Sequence, residues 1–290
     1  SSPSFSRILI VATSAALLAA CGSSDGGGGQ AQTGFLKVGI TDAPVDMATA
    51  VVVKFTGVEL KPQGGSAFSI DFAMPKSLDL IQLQGEQRAM LLDGEEIPAG
   101  EYEWMRLKVD ADPNVAGDSY LQLEASGAEC EMRIPSGDQN GLKLIRGFTI
   151  GVGTTTDFTI DFDLRKSLVA PPGQTTIVDT CGNQAFTLKP VLRIVDNLQV
   201  GTIAGDVDPN LIAAQCAASG QAPYPGNVYL FGPIPADADV APDDYDGVDD
   251  ALTSAMVNPD TFRYTIGFVP AGNYRVAYTC DLDDTVVDAD

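Results

Sequence analysis

From residue 34 onward, short stretches of alternating apolar and polar residues are separated by turn residues, the period-two pattern of strands that bury one face. The clearest is Phe158-Thr159-Ile160-Asp161-Phe162-Asp163-Leu164-Arg165. Phe158, Ile160, Phe162 and Leu164 fall on one side and Thr159, Asp161, Asp163 and Arg165 on the other, which predicts one core face and one solvated face. Residues 51–55, 107–109, 186–194, 228–231 and 262–268 read similarly and are well supplied with β-branched and aromatic side chains. No long amphipathic helix is predicted; a short one is expected over residues 77–83.

Two segments resemble each other, Ile97-Pro98-Ala99-Gly100-Glu101-Tyr102 and Val269-Pro270-Ala271-Gly272-Asn273-Tyr274, each ahead of a predicted strand. Proline sets one turn angle and glycine supplies a permissive one, so the tyrosine enters the strand at a fixed register. Such an entry is common in immunoglobulin-like and transthyretin-like sandwiches. The fold class expected is all-β, with two β-sandwich modules, 34–197 and 198–290, divided where Gly201-Thr202-Ile203-Ala204-Gly205-Asp206-Val207 opens a new strand pattern. The 30 Gly and 18 Pro agree with many short strands rather than long helices. The chain stops at Asp290 soon after a predicted strand, so the second module is read as truncated, with an unpaired edge.

The first residues follow a different pattern. Arg7 precedes an apolar run over residues 8–20, too short for a permanent membrane span but shaped like an export signal. Leu18-Ala19-Ala20-Cys21 resembles the lipobox of bacterial lipoprotein precursors, which implies removal of residues 1–20 and lipidation of Cys21. Residues 21–33, rich in Gly and Ser, read as a flexible tether. Gly22, where an Asp would signal retention in Gram-negative lipoproteins, implies the outer membrane, with the bilayer as a partner through the acyl chains.

Charge and residue counts then remove whole classes of function. With 17 basic and 39 acidic residues the net charge is −22, which repels phosphate backbones and excludes nucleic acid as a partner. There is no histidine, which eliminates His-based acid–base catalysis, His-activated nucleophiles and the usual zinc sites, so the chain is not expected to be an enzyme. Beyond Cys21 an even number of cysteines remains, Cys130, Cys181, Cys216 and Cys280, in an exported and therefore oxidising setting. Three pairings are open. Cys130 with Cys181 and Cys216 with Cys280 is the expected one, because each bridge then stays within one module. No CxxC spacing supports a metal or redox site.

Between residues 34 and 197 the chain resembles the bacterial domain-of-unknown-function family 4382, found in exported lipoproteins. The resemblance is carried by Gly39-Ile40-Thr41-Asp42-Ala43-Pro44-Val45-Asp46, Leu78-Asp79-Leu80, Leu91-Leu92-Asp93-Gly94 and the first Pro-Ala-Gly-x-Tyr segment. Further blocks are Ile134-Pro135-Ser136-Gly137, Gly141-Leu142-Lys143-Leu144, Phe162-Asp163-Leu164-Arg165-Lys166-Ser167-Leu168 and Leu188-Lys189-Pro190-Val191-Leu192-Arg193. It implies an envelope setting and no particular activity. Residues 198–290 resemble, more loosely, carboxypeptidase-regulatory or transthyretin-like sandwiches, related in shape to starch-binding-like modules, on Val228-Tyr229-Leu230-Phe231 and the second turn.

Candidate chemistry centres on carboxylates. Asp243, Asp244, Asp246, Asp249 and Asp250 surround Gly247 as calcium-binding loops do, yet Pro242 and Thr253 occupy the first and twelfth positions of an EF-hand alignment, where carboxylates belong. An irregular calcium loop or a solvated acidic surface remains; no other cofactor is expected. Asp42, Asp46, Asp161 and Asp163 are candidates for paired-carboxylate hydrolysis only if the fold brings them together. Otherwise they serve turns, caps or ion pairs with Arg106, Arg165 or Arg193. Trp104, Tyr224, Tyr229 and Tyr245 could stack on sugars if exposed, with a core or half-core place favoured for Trp104. The expected function is a membrane-anchored, non-catalytic binding module for polysaccharide or a surface protein, calcium-assisted if the acidic loop is ordered. The alternatives are a structural component of the envelope and, last, a hydrolase.

Overall fold

The computed structural model describes residues 32–43, 48–112, 114–115, 117–134, 141–170, 180–181, 185–189, 191–219, 225–232 and 251–280. Cys21, Asp46, Tyr224 and the acidic stretch with Asp243, Asp244, Tyr245, Asp246, Asp249 and Asp250 lie outside the described residues. The strands up to residue 196 are β1 (Thr33–Ala43), β2 (Ala48–Pro62), β3 (Phe68–Asp79), β4 (Ala89–Pro98), β5 (Gly100–Asp110), β6 (Tyr120–Leu123) and β7 (Glu129–Arg133). They continue as β8 (Leu142–Leu144), β9 (Phe148–Ile150), β10 (Thr155–Asp163), β11 (Leu168–Val169), β12 (Phe186–Leu188) and β13 (Leu192–Asp196). A single-turn helix, α1 (Leu164–Ser167), follows β10. Beyond residue 199 come β14 (Val200–Asp206), helix α2 (Pro209–Ser219), β15 (Asn227–Phe231), β16 (Ala251–Met256), β17 (Arg263–Pro270) and β18 (Arg275–Thr279). The protein is all-β.

Sheet membership divides near residue 197. A four-stranded sheet runs β13-β10-β1-β4 and a nine-stranded one runs β11-β12-β7-β6-β2-β5-β8, with β3 on β2 and β9 on β5. Strands after residue 199 form two further sheets, β14-β17 and β16-β15-β18. The two larger sheets share one core, into which β1 sends Leu36, Val38 and Ile40 and β2 sends Val51, Val53, Phe55, Val58 and Leu60. Phe55 of one sheet meets Phe162 of the other edge-on at 6.3 Å, the quadrupole-favoured arrangement. The later strands bury a smaller cluster around Val228, Leu230, Val257, Ile266 and Val269.

Bulges set which residues enter the core. In β2 the apolar parity changes after Phe55, because an extra residue shifts the register between Phe55 and Gly57. Val58 and Leu60 thereby return to the inner face that Val51, Val53 and Phe55 already occupy. A second shift opposite Lys61 and Pro62 lets both Tyr102 and Met105 of β5 point inward. The Pro-Ala-Gly-x-Tyr segments form the β4–β5 and β17–β18 connections, and in each the tyrosine hydroxyl donates to the proline carbonyl, Tyr102 to Pro98 and Tyr274 to Pro270, both at 2.8 Å. This is the logic of a tyrosine corner, a side chain locking the turn that delivers it.

Cys130 is bonded to Cys181 and Cys216 to Cys280, across separations of 51 and 64 residues. In the chain-entropy account each bridge stabilises the fold by about 4 kcal/mol. The Cys216 bridge ties α2 to the end of β18. That helix has no amphipathic stripe for periodicity to reveal; Pro209 sits at its first position, and the Asp208 carboxylate accepts the Asn210 N–H at 2.8 Å. Over residues 77–83 the expected helix is instead the end of β3 followed by a 3₁₀ turn, Leu80–Gln82. The expected strand over 186–194 is two strands, β12 and β13.

The largest departure concerns β10. Its polar side was expected to be wet, yet Thr159, Asp161 and Arg165 are 0%, 6% and 4% exposed. β10 is flanked by β1 and β13, and the residues after 196 supply partners on its outer side, Asn197 to Asp157 and Thr159 and Tyr229 to Arg165. A strand covered on both faces no longer has a solvated side.

Candidate functional site

Parallel pairing of β1 with β10 sets Thr41 beside Asp161, Asp42 beside Phe162 and Ala43 beside Asp163. The fold therefore brings three of the four candidate carboxylates to one end of one strand pair. Asp161 accepts from Arg193 of β13 at 2.6 and 3.2 Å. Asp163 caps α1 by accepting the Lys166 N–H at 3.3 Å, with the Lys166 ammonium 3.5 Å away. Among the described residues neither Asp42 oxygen has a hydrogen-bond partner of normal geometry. Burial is the main reason the Asp42 carboxyl is held well above its ordinary pKa, and Asp161 and Asp163 push in the same direction. Arg165 and the Leu164 N–H oppose this without prevailing. Burial likewise raises Asp161 and Asp163, against Arg193 for the first and Lys166 for the second.

The basic members of this cluster reach into the later strands. The Arg165 guanidinium donates to the Tyr229 hydroxyl and lies over its ring, 4.9 Å from the centroid. Lys166 donates to the Ala251 carbonyl at 2.6 Å. Tyr229, a candidate for sugar stacking if exposed, is therefore buried beneath Arg165 and presents no free face. Chemically the cluster is a buried lock: Asp161 and Asp163 are engaged by Arg193 and Lys166, and burial favours the neutral form of Asp42. Among the described residues no group of three or more acidic or cysteine side chains is placed to hold a metal ion.

An open groove lies away from this cluster. It has a volume of about 540 Å³ and runs between the β9–β10 turn and the junction after β13, lined by Arg146, Phe148, Thr154, Thr156, Leu198 and Gln199 among others. Its size falls within the range of small-ligand sites. The groove mixes aromatic carbon with hydroxyls: Phe148 is stacked on Tyr102 at 5.0 Å and met edge-on by Phe158 at 5.4 Å, so its ring is rigidly held. Arg146 is fixed by donating to the Ile194 carbonyl at 2.6 Å. Leu198, 84% exposed, stands at the rim. None of Asp42, Asp161 and Asp163 lines this groove.

A second cavity, about 260 Å³, is lined by Glu86, Arg88, Asn197, Gly201, Thr202 and Phe268. Beside it Arg88 makes a two-pronged pair with Asp157 at 2.8 and 3.0 Å, and Asn197 bridges Asp157 to Thr159, so its polar groups are engaged with one another. Trp104 is half-buried on the outer face of the larger sheet, with Arg106 and Lys143 over its ring at 4.8 and 4.4 Å.

Sequence reasoning found the carboxylates but not the groove. Arg146, Thr154, Thr156 and Gln199 belong to no motif. The usable signal was positional, since the groove opens beside residues 197–199, where the strand pattern changes and junctions favour ligand sites. A family model described as Domain of unknown function (DUF4382) matches residues 33–190, more than half of the chain. None of the curated proteins and none of the solved structures compared with the chain matches it.

Proposed function

Because the chain belongs to the DUF4382 family, whose description carries no activity, we propose from its own geometry that it is a non-catalytic binding module of the cell envelope. In this reading residues 1–20 are an export signal, lipidated Cys21 anchors the protein to the outer membrane, and residues 198–290 form a transthyretin-like second module. The observation that carries the binding reading is the groove of about 540 Å³ with its immobilised Phe148, its threonine hydroxyls and its fixed Arg146. Such a site suits a polysaccharide segment, whose ring faces are apolar and whose rims are hydroxylated. The hydrolase alternative is disfavoured because Asp161 and Asp163 are engaged by Arg193 and Lys166 and line neither described cavity.

The test is a glycan array probed with the Cys21→Ser protein, with calcium and with chelator. Saturable binding that is lost in the Arg146→Ala, Gln199→Ala double variant is expected. Binding that ignores the double variant would remove the groove from the account. Calcium dependence would implicate the Asp243 to Asp250 stretch as well. One observation favours the second reading, an assembly component of the envelope. Among the described residues β3 pairs along one edge only and leaves Met74 79% exposed, a shape open to strand addition by a protein partner. A cross-link from Met74→Cys to an envelope protein, with no glycan bound on the array, selects it.

A further inference from the structure

One region of the outer face of the nine-stranded sheet carries a local excess of cations on this strongly acidic chain. Cross-strand register sets Lys61 of β2 beside Trp104 of β5, and Arg106 of β5 between Glu59 of β2 and Lys143 of β8. Arg106 is paired with Glu59 at 2.5 Å. Lys61 donates to the Gly65 carbonyl and Lys143 rests over the indole, and among the described residues neither ammonium has a carboxylate within ion-pair distance. Ile145, just beyond β8, is 81% exposed. On a protein with 39 acids and 17 bases, this sets Lys61, Arg106 and Lys143 next to one indole, with Glu59 pairing Arg106 and the exposed Ile145 two residues beyond Lys143.

We propose that this patch binds an acidic polysaccharide, its carboxylates meeting Lys61 and Lys143 and its sugar rings meeting Trp104 and Ile145. The inference rests on the reading of the protein as a binding module and names a second contact surface and the ligand class. An acidic peptide fits less well: β5 is paired along both edges, to β2 and to β8 and β9, so the main-chain bonds that hold peptides on sheets are already taken. An anionic bilayer fits less well too, because a planar charged surface meets the whole protein, whose net charge is −22. A single polymer strand feels only charges within a Debye length, about 8 Å at physiological salt, and so meets the local cations. Arg146, which lines the groove described above, follows Lys143 by three residues.

Trp104 is the only tryptophan of the chain, so tryptophan-selective fluorescence reports this patch alone. The full-length Cys21→Ser protein is titrated with polygalacturonate, with neutral dextran, and with phosphatidylcholine vesicles containing phosphatidylglycerol. The proposal expects a saturable emission change with polygalacturonate and none with dextran. It expects the Lys61→Glu, Lys143→Glu variant to bind about tenfold more weakly, the effect of two lost charge contacts. Lys61→Arg with Lys143→Arg keeps the charges and retains binding, which separates charge loss from misfolding. No response to polygalacturonate, an equal response to dextran, a response confined to vesicles, or unchanged affinity after charge reversal each overturns it. On the glycan array, binding that survives the charge reversal but not Arg146→Ala with Gln199→Ala defeats the patch and leaves the groove standing. An array with no binding by the unaltered protein defeats the binding-module reading itself.

Discussion

Two strand faces that look alike in sequence have opposite fates. β5 carries Trp104, Arg106, Lys108 and Asp110 on its outer side, and β10 carries Thr159 and Asp161 on its own. The β5 residues stay partly solvated and pair across strands, Lys108 with Asp71 and Lys54 with Asp110. The β10 residues are buried, Thr159 against Asn197 and Asp161 against Arg193 of β13, and Arg165 just beyond the strand is covered by Tyr229. Alternation states which residues share a face; it does not state whether another layer will cover that face. Where a layer does cover it, polar residues change from solvating groups into fastening ones.

The sharpest way to break this contrast is Arg165→Ala. It leaves Tyr229 without its guanidinium and removes a cation from beside the buried carboxylates, and it should cost about 3–5 kcal/mol in denaturant unfolding. A loss below about 1 kcal/mol, the scale of an exposed pair, would mean that the β10 face is as open as that of β5. Next is Gly267→Ala. A Cβ at Gly267 would lie 2.2 Å from the Gly85 carbonyl oxygen, so β17 has to move away from the β3–β4 connection. A loss of about 1–3 kcal/mol is expected on thermal unfolding, and a neutral result would show that the two segments are not in close contact.

Asp42→Asn probes the same buried site with the opposite sign. The Asp42 pKa is raised in the folded state, so the folded protein binds more protons than the unfolded one above the ordinary carboxylate pKa. The stability this group contributes is full below that pKa and is lost as pH rises through the folded value. Asn, neutral throughout, should therefore stabilise the protein at neutral pH and have less effect near pH 4, as read by melting temperature across the range. Destabilisation by Asn at neutral pH would mean that an ionised Asp42 is needed. The smallest effect is expected for Lys108→Ala on the open face, under about 1 kcal/mol by chemical denaturation; a larger value would show that this face too is covered.

Much of the fold was legible from period-two patterning and turn chemistry, and the twin Pro-Ala-Gly-x-Tyr segments make the same tyrosine-to-proline bond. Helix α2 escaped because its apolar residues mark no stripe. The parity change inside β2 went unread although Gly57, a glycine inside a strand pattern, stands at the bulge. Of the candidate site, the carboxylates were identifiable by type, but their convergence depends on a parallel pairing of residues more than a hundred positions apart. The groove drew on the β9–β10 turn and on residues 197–199, and such distant partners leave no local pattern.

The central claim, a non-catalytic groove that binds glycan, is tested most directly by hydrogen–deuterium exchange on the protein with and without a polysaccharide selected from the array, with the glycan's chain length measured afterwards. The account predicts slowed exchange over residues 146–156 and 194–200 and a glycan of unchanged length. Protection confined to other segments, or a shortened glycan, would contradict it.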